Sequence, residues 1–183
     1  MQKLVRFVLV AALIGAAFWV WTLLFPSPQK VIRSRLLKLA ATASFEPQDG
    51  ELLRAFHAQK LTEFFTTDAT LEVDIRGFGQ RSVTGRDELQ QAALAYMHTL
   101  RGLKVELLDI NVTLDPDKQN AVANLTGKAT VTGESDFYVQ ELNFKLKKVD
   151  GQWLIYKVET VKTLGALAPG AAAMRSTSML TAL

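Results

Sequence analysis

The feature that most constrains this chain is an uncharged apolar run that begins at Phe7 and ends at Phe25. The run has nineteen residues, and Thr22 is the one polar member. As a helix it covers roughly 28 Å, close to the ~30 Å hydrocarbon core of a bilayer. Trp19 and Trp21 stand near its end, where indoles prefer the membrane interface. Residues 1–28 are therefore predicted to be a short tail and a single transmembrane helix.

A cleaved signal peptide is the alternative interpretation, and Lys3 and Arg6 match its basic start. The apolar run is longer than the roughly 7–15 residues of such peptides, however. The nearest small-x-small triplet, at residues 41–43, also lies some sixteen residues beyond the run. We therefore favour an uncleaved anchor. The short basic tail is typical of a signal-anchor, so we expect a cytoplasmic N-terminus and a periplasmic or other extracytoplasmic domain.

The charge is distributed unevenly along the chain. The 183 residues carry a net charge of +3, yet all eighteen acidic residues lie between Glu46 and Glu159. Thirteen Lys or Arg in that stretch leave it with a net charge of −5. No basic stripe is interleaved with aromatic residues, so we expect no nucleic-acid partner. The absence of cysteine excludes disulfides, thiolate metal sites and thiol catalysis.

The first helix of the domain is predicted over residues 30–45. Its apolar residues fall on one helical face: Ile32, Leu36, Leu39 and Ala43. Four basic residues surround that face: Lys30, Arg33, Arg35 and Lys38. Two compatible interpretations are a solvated surface and a helix held at anionic headgroups, where each cation contributes about 1 kcal/mol. Membrane lipids are thus expected partners of residues 7–25 and of the segment from Lys30 to Lys38.

A second helix is predicted over residues 51–65, after a break at residues 47–50 and with Asp49 as its N-terminal cap. Its apolar face is expected to comprise Leu52, Ala55, Phe56 and Leu61. Helical periodicity then gives way to the two-residue period of a strand over residues 71–75, followed by a short returning strand over residues 80–84.

A third helix is predicted to start near Thr84 or Asp87, either of which can cap it, and to stop at Gly102. Four long strand-like runs follow. In the first, apolar residues occupy odd positions up to Leu107 and even positions from Leu108, which predicts a β-bulge at this pair.

The second strand-like run alternates cleanly over residues 121–131. The last two runs flank Asp150-Gly151, the sequence of a type I′ hairpin turn. Three apolar residues behind that turn are expected to anchor the core: Leu146, Trp153 and Ile155. Residues 165–183 are rich in Ala, Ser and Thr without periodicity, and we interpret them as a disordered tail.

Two segments carry a family resemblance: residues 84–89 (TGRDEL) at the third helix and residues 147–155 (KKVDGQWLI) at the closing hairpin. In this order of elements the chain resembles the nuclear transport factor 2-like superfamily, which includes polyketide-cyclase-like and ketosteroid-isomerase-like proteins. The resemblance covers about residues 31–164. It implies an α+β domain, residues 29–164, with three helices against a strongly curved antiparallel sheet that forms a cone-shaped cavity.

Enzymes of this superfamily resemble one another in placing an acid or base inside the cone. His57 lies one residue past the apolar stripe of the second helix, His98 is near the end of the third, and Glu72 and Asp74 point away from the apolar face of their strand. We therefore predict no catalytic residue, no cofactor and no metal site. Four polar residues on the long strands can either face the cavity or form cross-strand pairs on the outer face of the sheet: Tyr138, Glu141, Asn143 and Tyr156. We favour the cross-strand pairs.

Two functions remain open. The favoured one is a membrane-anchored, non-catalytic module that assembles through its sheet, as a homodimer or as a subunit of a membrane complex, with Thr126 on the contacting face. The alternative is a tethered small-molecule enzyme or hydrophobic-ligand binder that uses the cone. A filled apolar cone favours the first hypothesis, and an open cone with a buried carboxylate favours the second.

Overall fold

The computed structural model describes residues 27–75, 79–135 and 137–161. The three helices are α1 (Pro28–Ala43), α2 (Glu51–Thr62) and α3 (Arg86–Thr99). The six strands are β1 (Phe65–Ile75), β2 (Gly79–Thr84), β3 (Leu103–Leu114), β4 (Asn120–Val131), β5 (Phe137–Val149) and β6 (Gln152–Thr160). The predicted transmembrane segment and the predicted tail lie outside the described residues. Within the described ranges, no helix has the length and apolar character needed to cross a membrane.

The strands form one curved sheet in the order β2-β1-β6-β5-β4-β3. Every neighbouring pair is antiparallel except β1 and β6, which are parallel. The prediction of an antiparallel sheet is therefore wrong at this pair. Parallel neighbours need a long connection, and here the connection contains α3 and four further strands.

The predicted apolar face of α1 is confirmed. Ile32, Leu36 and Leu39 are buried against the inner face of the sheet, whereas Ala43 at the end of the helix is half-buried. Because these positions recur every three or four residues, they share one side of the helix. The spacing alone thus determined how α1 packs.

The prediction for α2 is wrong in two respects. The helix ends at Thr62 instead of reaching Phe65, which begins β1 opposite Ile155. Its predicted apolar face is also largely solvent-exposed: Leu52 is 89% exposed, and Ala58 is the buried residue of this helix. The small side chain of alanine permits close approach of α2 to its neighbours. The helix therefore packs through the side that carries Ala58 and leaves its larger apolar side chains exposed.

The side chains predicted to cap helices α2 and α3 do not do so: Asp49, Thr84 and Asp87. Each helix begins after a glycine, Gly50 or Gly85, that has no side chain to offer. The Asp49 carboxylate accepts a hydrogen bond from the Glu46 backbone N–H at 2.8 Å, and Glu88 accepts one from the Thr84 N–H at 2.8 Å. These bonds fix the loops that lead into the helices.

A bulge in β3 is confirmed, but at a later position than predicted. The register against β4 shifts between Leu108 and Asn111, so the predicted position at Leu107-Leu108 is wrong by about two residues. Asp109 in this interval has a φ of 52°. Aspartate tolerates this left-handed conformation better than the flanking leucine, which explains where the strand changes phase.

The hairpin of β5 and β6 is confirmed. Asp150 and Gly151 both have positive φ, 49° and 79°, as a type I′ turn requires. Leu146, Trp153 and Ile155 are all buried behind the turn, and they belong to the main core cluster. The turn therefore sets the register that directs these three side chains inward.

Candidate functional site

The space between the helices and the inner face of the sheet is filled by apolar side chains. The core contributes residues from every layer: Ile32, Leu36, Leu39, Phe65, Ala69, Leu89, Ile110, Ala121, Ala123, Leu125, Phe144, Leu146, Trp153, Ile155 and Val158. Among the described residues, Thr66 is the one buried polar side chain. Among the described residues, none of the buried side chains in this cluster is ionisable.

The acid–base candidates lie elsewhere. His57 is half-buried in α2, and His98 is exposed at the end of α3. Glu72 and Asp74 are exposed on β1, on the side of the sheet away from the core. Across the described ranges, no three His, Asp or Glu side chains converge on a possible metal position.

The outer face of the sheet carries the polar residues instead. Register pairs place one row across five strands: Asn111, Asn124, Asn143, Glu159 and Glu72. Asn143 donates from Nδ2 to Asn124 Oδ1 at 2.7 Å. Alternation along a strand explains the arrangement, because the neighbours of these residues point into the core.

Four of the five residues predicted for a cavity or interface share this outer face: Thr126, Glu141, Asn143 and Tyr156. Thr126 pairs with Glu141 on β5 and with Leu108 on β3. The Lys147 ammonium lies 5.8 Å from the Tyr156 ring centroid. Tyr138 lies opposite Ala129 of β4, on the other face of the sheet from Glu141 and Asn143. Its hydroxyl donates to Glu134 Oε2 at 3.1 Å. The four residues thus lie on the face that the sequence favoured for them, and Tyr138 lies on the other face.

Ion pairs cover the middle and one edge of the outer face. Glu159 is held at 2.9 Å by both Lys145 and Lys157, and Lys157 also lies 3.4 Å from Glu72. Hydrogen bonds from Lys157 and Lys145 lower the pKa of the Glu159 carboxyl. The bond to Glu159 raises the pKa of the Lys157 ammonium. The charges on this face are thus largely compensated before any partner arrives.

This network predicts how stability depends on pH. A carboxyl whose pKa is lowered in the fold stabilises the fold at a pH above its ordinary pKa, which is 4.5 for Glu159. This contribution is lost as the pH falls through the folded-state pKa. Lys157, with a raised pKa, contributes below its ordinary 10.5 and loses the contribution as the pH rises through the folded-state pKa. We expect urea midpoints to fall at both extremes. Glu159→Gln should reduce the fall of the urea midpoint at low pH, and Glu51→Gln, at an exposed position of α2, should leave that fall unchanged. Equal effects of the two variants would contradict the prediction.

One end of the outer face carries three exposed apolar side chains among polar and charged ones. Leu108, Phe137 and Val139 are 46%, 60% and 53% exposed, and we call them the apolar patch. Phe137 and Val139 lie opposite Thr130 and Lys128, and the Lys128 ammonium sits 5.0 Å from the Phe137 ring centroid. Large apolar side chains exposed together on a sheet face are typical of a contact surface.

A second feature lies at the opposite side of the sheet, between α1 and the β5–β6 turn. It is an open pocket of about 540 Å³, which we call the basic pocket, and nine residues line it: Lys30, Val31, Ser34, Arg35, Lys38, Phe64, Gly151, Gln152 and Trp153. The sequence pointed to the basic residues of α1. It gave no sign that the hairpin residues would lie against them.

The fold defines a class of small α+β domains with a curved sheet around helices, and sequence comparison identifies the family. The chain matches the SnoaL-like domain family over residues 50–159, more than half of its length, and belongs to that family within the nuclear transport factor 2-like superfamily. A comparison with curated proteins finds no match.

Solved structures with this fold are distant in sequence. A putative scytalone dehydratase from Novosphingobium aromaticivorans is 20% identical, with a TM-score of 0.53 over 74% of this chain and 83% of that one. An NTF2-like protein of unknown function from Pseudomonas putida is 13% identical, with a TM-score of 0.58 over 79% and 99%. The yeast UBP3-associated protein BRE5 is 17% identical, with a TM-score of 0.55 over 76% and 100%. At these identities the likeness concerns the fold alone.

Proposed function

We propose that this protein is a membrane-anchored assembly module that contacts a second copy of itself, or another membrane subunit, through the outer face of its sheet. Residues 7–25 provide the anchor, and the domain lies on the extracytoplasmic side. The observation that carries the proposal is the apolar patch beside Thr126 on a face whose charges are already paired. The filled interior supports it, because the alternative of an enzyme or ligand binder needs space in the cone.

The physical requirements of such an interface are modest. Stable contacts bury about 1,200–2,000 Å² and combine an apolar centre with a polar surround. A six-stranded sheet face with three exposed apolar side chains matches that composition. Anchoring confines copies to two dimensions, which raises their effective concentration and lets a weak contact be well occupied. The BRE5 neighbour is named for its association with another protein, which is compatible with this role for the fold.

Thr126→Arg is expected to dissociate the assembly. The new side chain would put a long, charged group between Leu108 and Glu141, and even if it pairs with Glu141 its bulk and the desolvation of its charge oppose contact. Crosslinking of the full chain in native membranes measures the assembled fraction. Gln59→Arg is the matched control, since it adds the same charge at an exposed position of α2. A Thr126→Arg protein that crosslinks like wild type would exclude this face as the interface.

The anchor is tested independently of the interface. We expect the full chain to stay in the membrane pellet after carbonate extraction, with an intact mass that includes residues 1–28, because nineteen apolar residues suffice to span the bilayer. Protease added outside the cell or spheroplast should digest the domain. Release into the soluble fraction, or a mature N-terminus near Ala43, would contradict the anchor.

The enzyme alternative makes a different prediction for single replacements. If the domain works by assembly, replacing His57, His98, Asp74 or Glu141 one at a time should leave its cellular function intact. Loss of function from one such replacement in a chain that stays monomeric in native membranes would displace the assembly proposal.

A further inference from the structure

The basic pocket is built from one side of α1 and from the β5–β6 hairpin. Lys30, Ser34 and Lys38 recur every four residues along the helix, and Arg35 lies beside them. Gln152 and Trp153 approach from the hairpin. The pocket therefore combines three cations, a hydroxyl, an amide and an aromatic wall. Its volume, about 540 Å³, is that of a small-molecule site.

The cations of the basic pocket lack counter-ions. None of the nine lining residues is acidic. Within the described part of the chain, neither Lys30 nor Lys38 takes part in an ion pair. The nearby Glu63 carboxylate is bound by Lys60 at 3.1 Å. An anion that enters the pocket would therefore meet the charges of Lys30 and Lys38, which no ion pair among the described residues offsets, while Glu63 acts on Arg35 alone.

Arg35 is the most constrained of the three cations. Its Nη2 donates to the Glu63 backbone oxygen at 2.8 Å, and its guanidinium carbon lies 5.1 Å from the Phe64 ring centroid. Its Nε is buried and has no hydrogen-bond partner among the described residues. Burial lowers the pKa of Arg35, and Glu63 acts in the opposite direction. A guanidinium held in place by these contacts is suited to a planar or tetrahedral oxyanion.

The remaining lining residues restrict the kind of anion. Ser34 and Gln152 can donate to further oxygens, while Val31, Phe64 and Trp153 offer apolar contact. A phosphate ester with a small organic portion satisfies both sets of groups. A bare inorganic anion would use the hydrogen-bond donors and leave the apolar side chains without a contact.

The location of the pocket identifies the source of such an ester. The three cations belong to α1, which precedes the stretch that matches the SnoaL-like family, whereas Phe64, Gln152 and Trp153 of the pocket lie within that stretch. Helix α1 begins three residues after Phe25, a span of at most about 10 Å of extended chain. A bilayer anchored at residues 7–25 would thus place phospholipid headgroups within reach of the pocket.

We propose that the basic pocket binds the phosphoryl headgroup of an anionic phospholipid through Lys30, Arg35 and Lys38, with the headgroup alcohol against Trp153. The lipid as source rests on the membrane anchor proposed above; the affinity for phosphate esters does not. Such a contact would fix the orientation of the domain on the membrane and thereby present the outer face of the sheet to a neighbouring copy.

The test uses the full chain in neutral detergent, with phosphatidylglycerol and phosphatidylcholine offered together. Native mass spectrometry counts the lipids retained. We expect preferential retention of phosphatidylglycerol, and a loss of about thirtyfold in its affinity in the Lys30→Gln/Lys38→Gln protein, since each cation near a headgroup contributes about 1 kcal/mol. Arg81→Gln/Lys118→Gln is the matched control, because it removes the same charge at exposed positions outside the pocket and outside α1. Unchanged circular dichroism of both proteins establishes that they fold.

Each outcome decides the proposal. Equal loss in the two double variants, or no loss in either, would overturn the pocket as a site. Calorimetry with glycerol 3-phosphate and inorganic phosphate separates the sources: if either binds as tightly as phosphatidylglycerol and depends on Lys30 and Lys38, the lipid assignment is overturned in favour of a soluble phosphate. Extraction of the chain from membranes by carbonate would overturn the proposed anchor. The affinity of the pocket for phosphate esters would still be tested by the lipid and calorimetry measurements.

Discussion

Trp153→Ala is expected to lower the free energy of unfolding by about 3–5 kcal/mol, a large share of the ~5–15 kcal/mol that stabilises a typical domain. The indole is 4% exposed, lies on the inner face of β6 directly after the β5–β6 turn, and belongs to the main core cluster with Leu146 and Ile155. Its truncation would leave a cavity in the centre of the hairpin packing, because the surrounding strands are held in register by their hydrogen bonds.

Urea unfolding of the full chain in detergent, followed by far-UV circular dichroism, measures this effect. Gln152→Ala is the neighbouring control, since Gln152 is exposed on the same strand; we expect a change within about 0.5 kcal/mol for it. A loss below about 1 kcal/mol for Trp153→Ala would mean that the hairpin does not anchor the core.

Arg54→Ala is expected to cost about 2–4 kcal/mol, the second largest effect. The Arg54 guanidinium extends from α2 and donates to backbone carbonyls of two separate segments, the loop before α2 and the end of α3: Glu46, Asp49, Met97, Leu100 and Arg101. It also lies 4.8 Å from the ring centroid of Phe45, which is buried. Its removal would leave the carbonyls at the end of α3 without their donor. It would also remove the contacts of α2 with the loop that precedes it and with the end of α3.

Arg54→Lys separates geometry from charge. A lysine keeps the positive charge but lacks the planar fork that reaches several carbonyls at once, so we expect most of the loss to remain. The exposed Arg81→Ala on β2 is the control for removal of an arginine as such. Melting temperatures of the three proteins measure the effect, and full rescue by lysine would show that charge alone is responsible.

Much of the fold was predictable because its signals are local. The period of α1, the alternation along β4 and the Asp150-Gly151 turn each depend on residues a few positions apart, and each was confirmed. The family resemblance drawn from the third helix and the closing hairpin was confirmed at the level of the superfamily.

The errors share one cause, which is competition between distant segments. The apolar residues of α2 predicted a buried face, but α2 meets its neighbours through Ala58, and Leu52 stays exposed. The parallel pairing of β1 with β6 joins Phe65 to Ile155, and no short-range pattern records it. The importance of Arg54 escaped prediction for the same reason, since its partners are as many as 47 residues away.

By itself, the sequence determined the apolar run at residues 7–25, the burial of Trp153 and the shared outer face of Thr126, Glu141 and Asn143, because two- and four-residue periods fix which side chains lie together. Only the tertiary structure decided that Leu108, Phe137 and Val139 come to one end of the outer face and that Trp153 meets the cations of α1 in a pocket. Both arrangements arise where strand register and helix docking bring together residues far apart in the chain. Their contact energies depend on the three-dimensional neighbours and not on the spacing along the sequence.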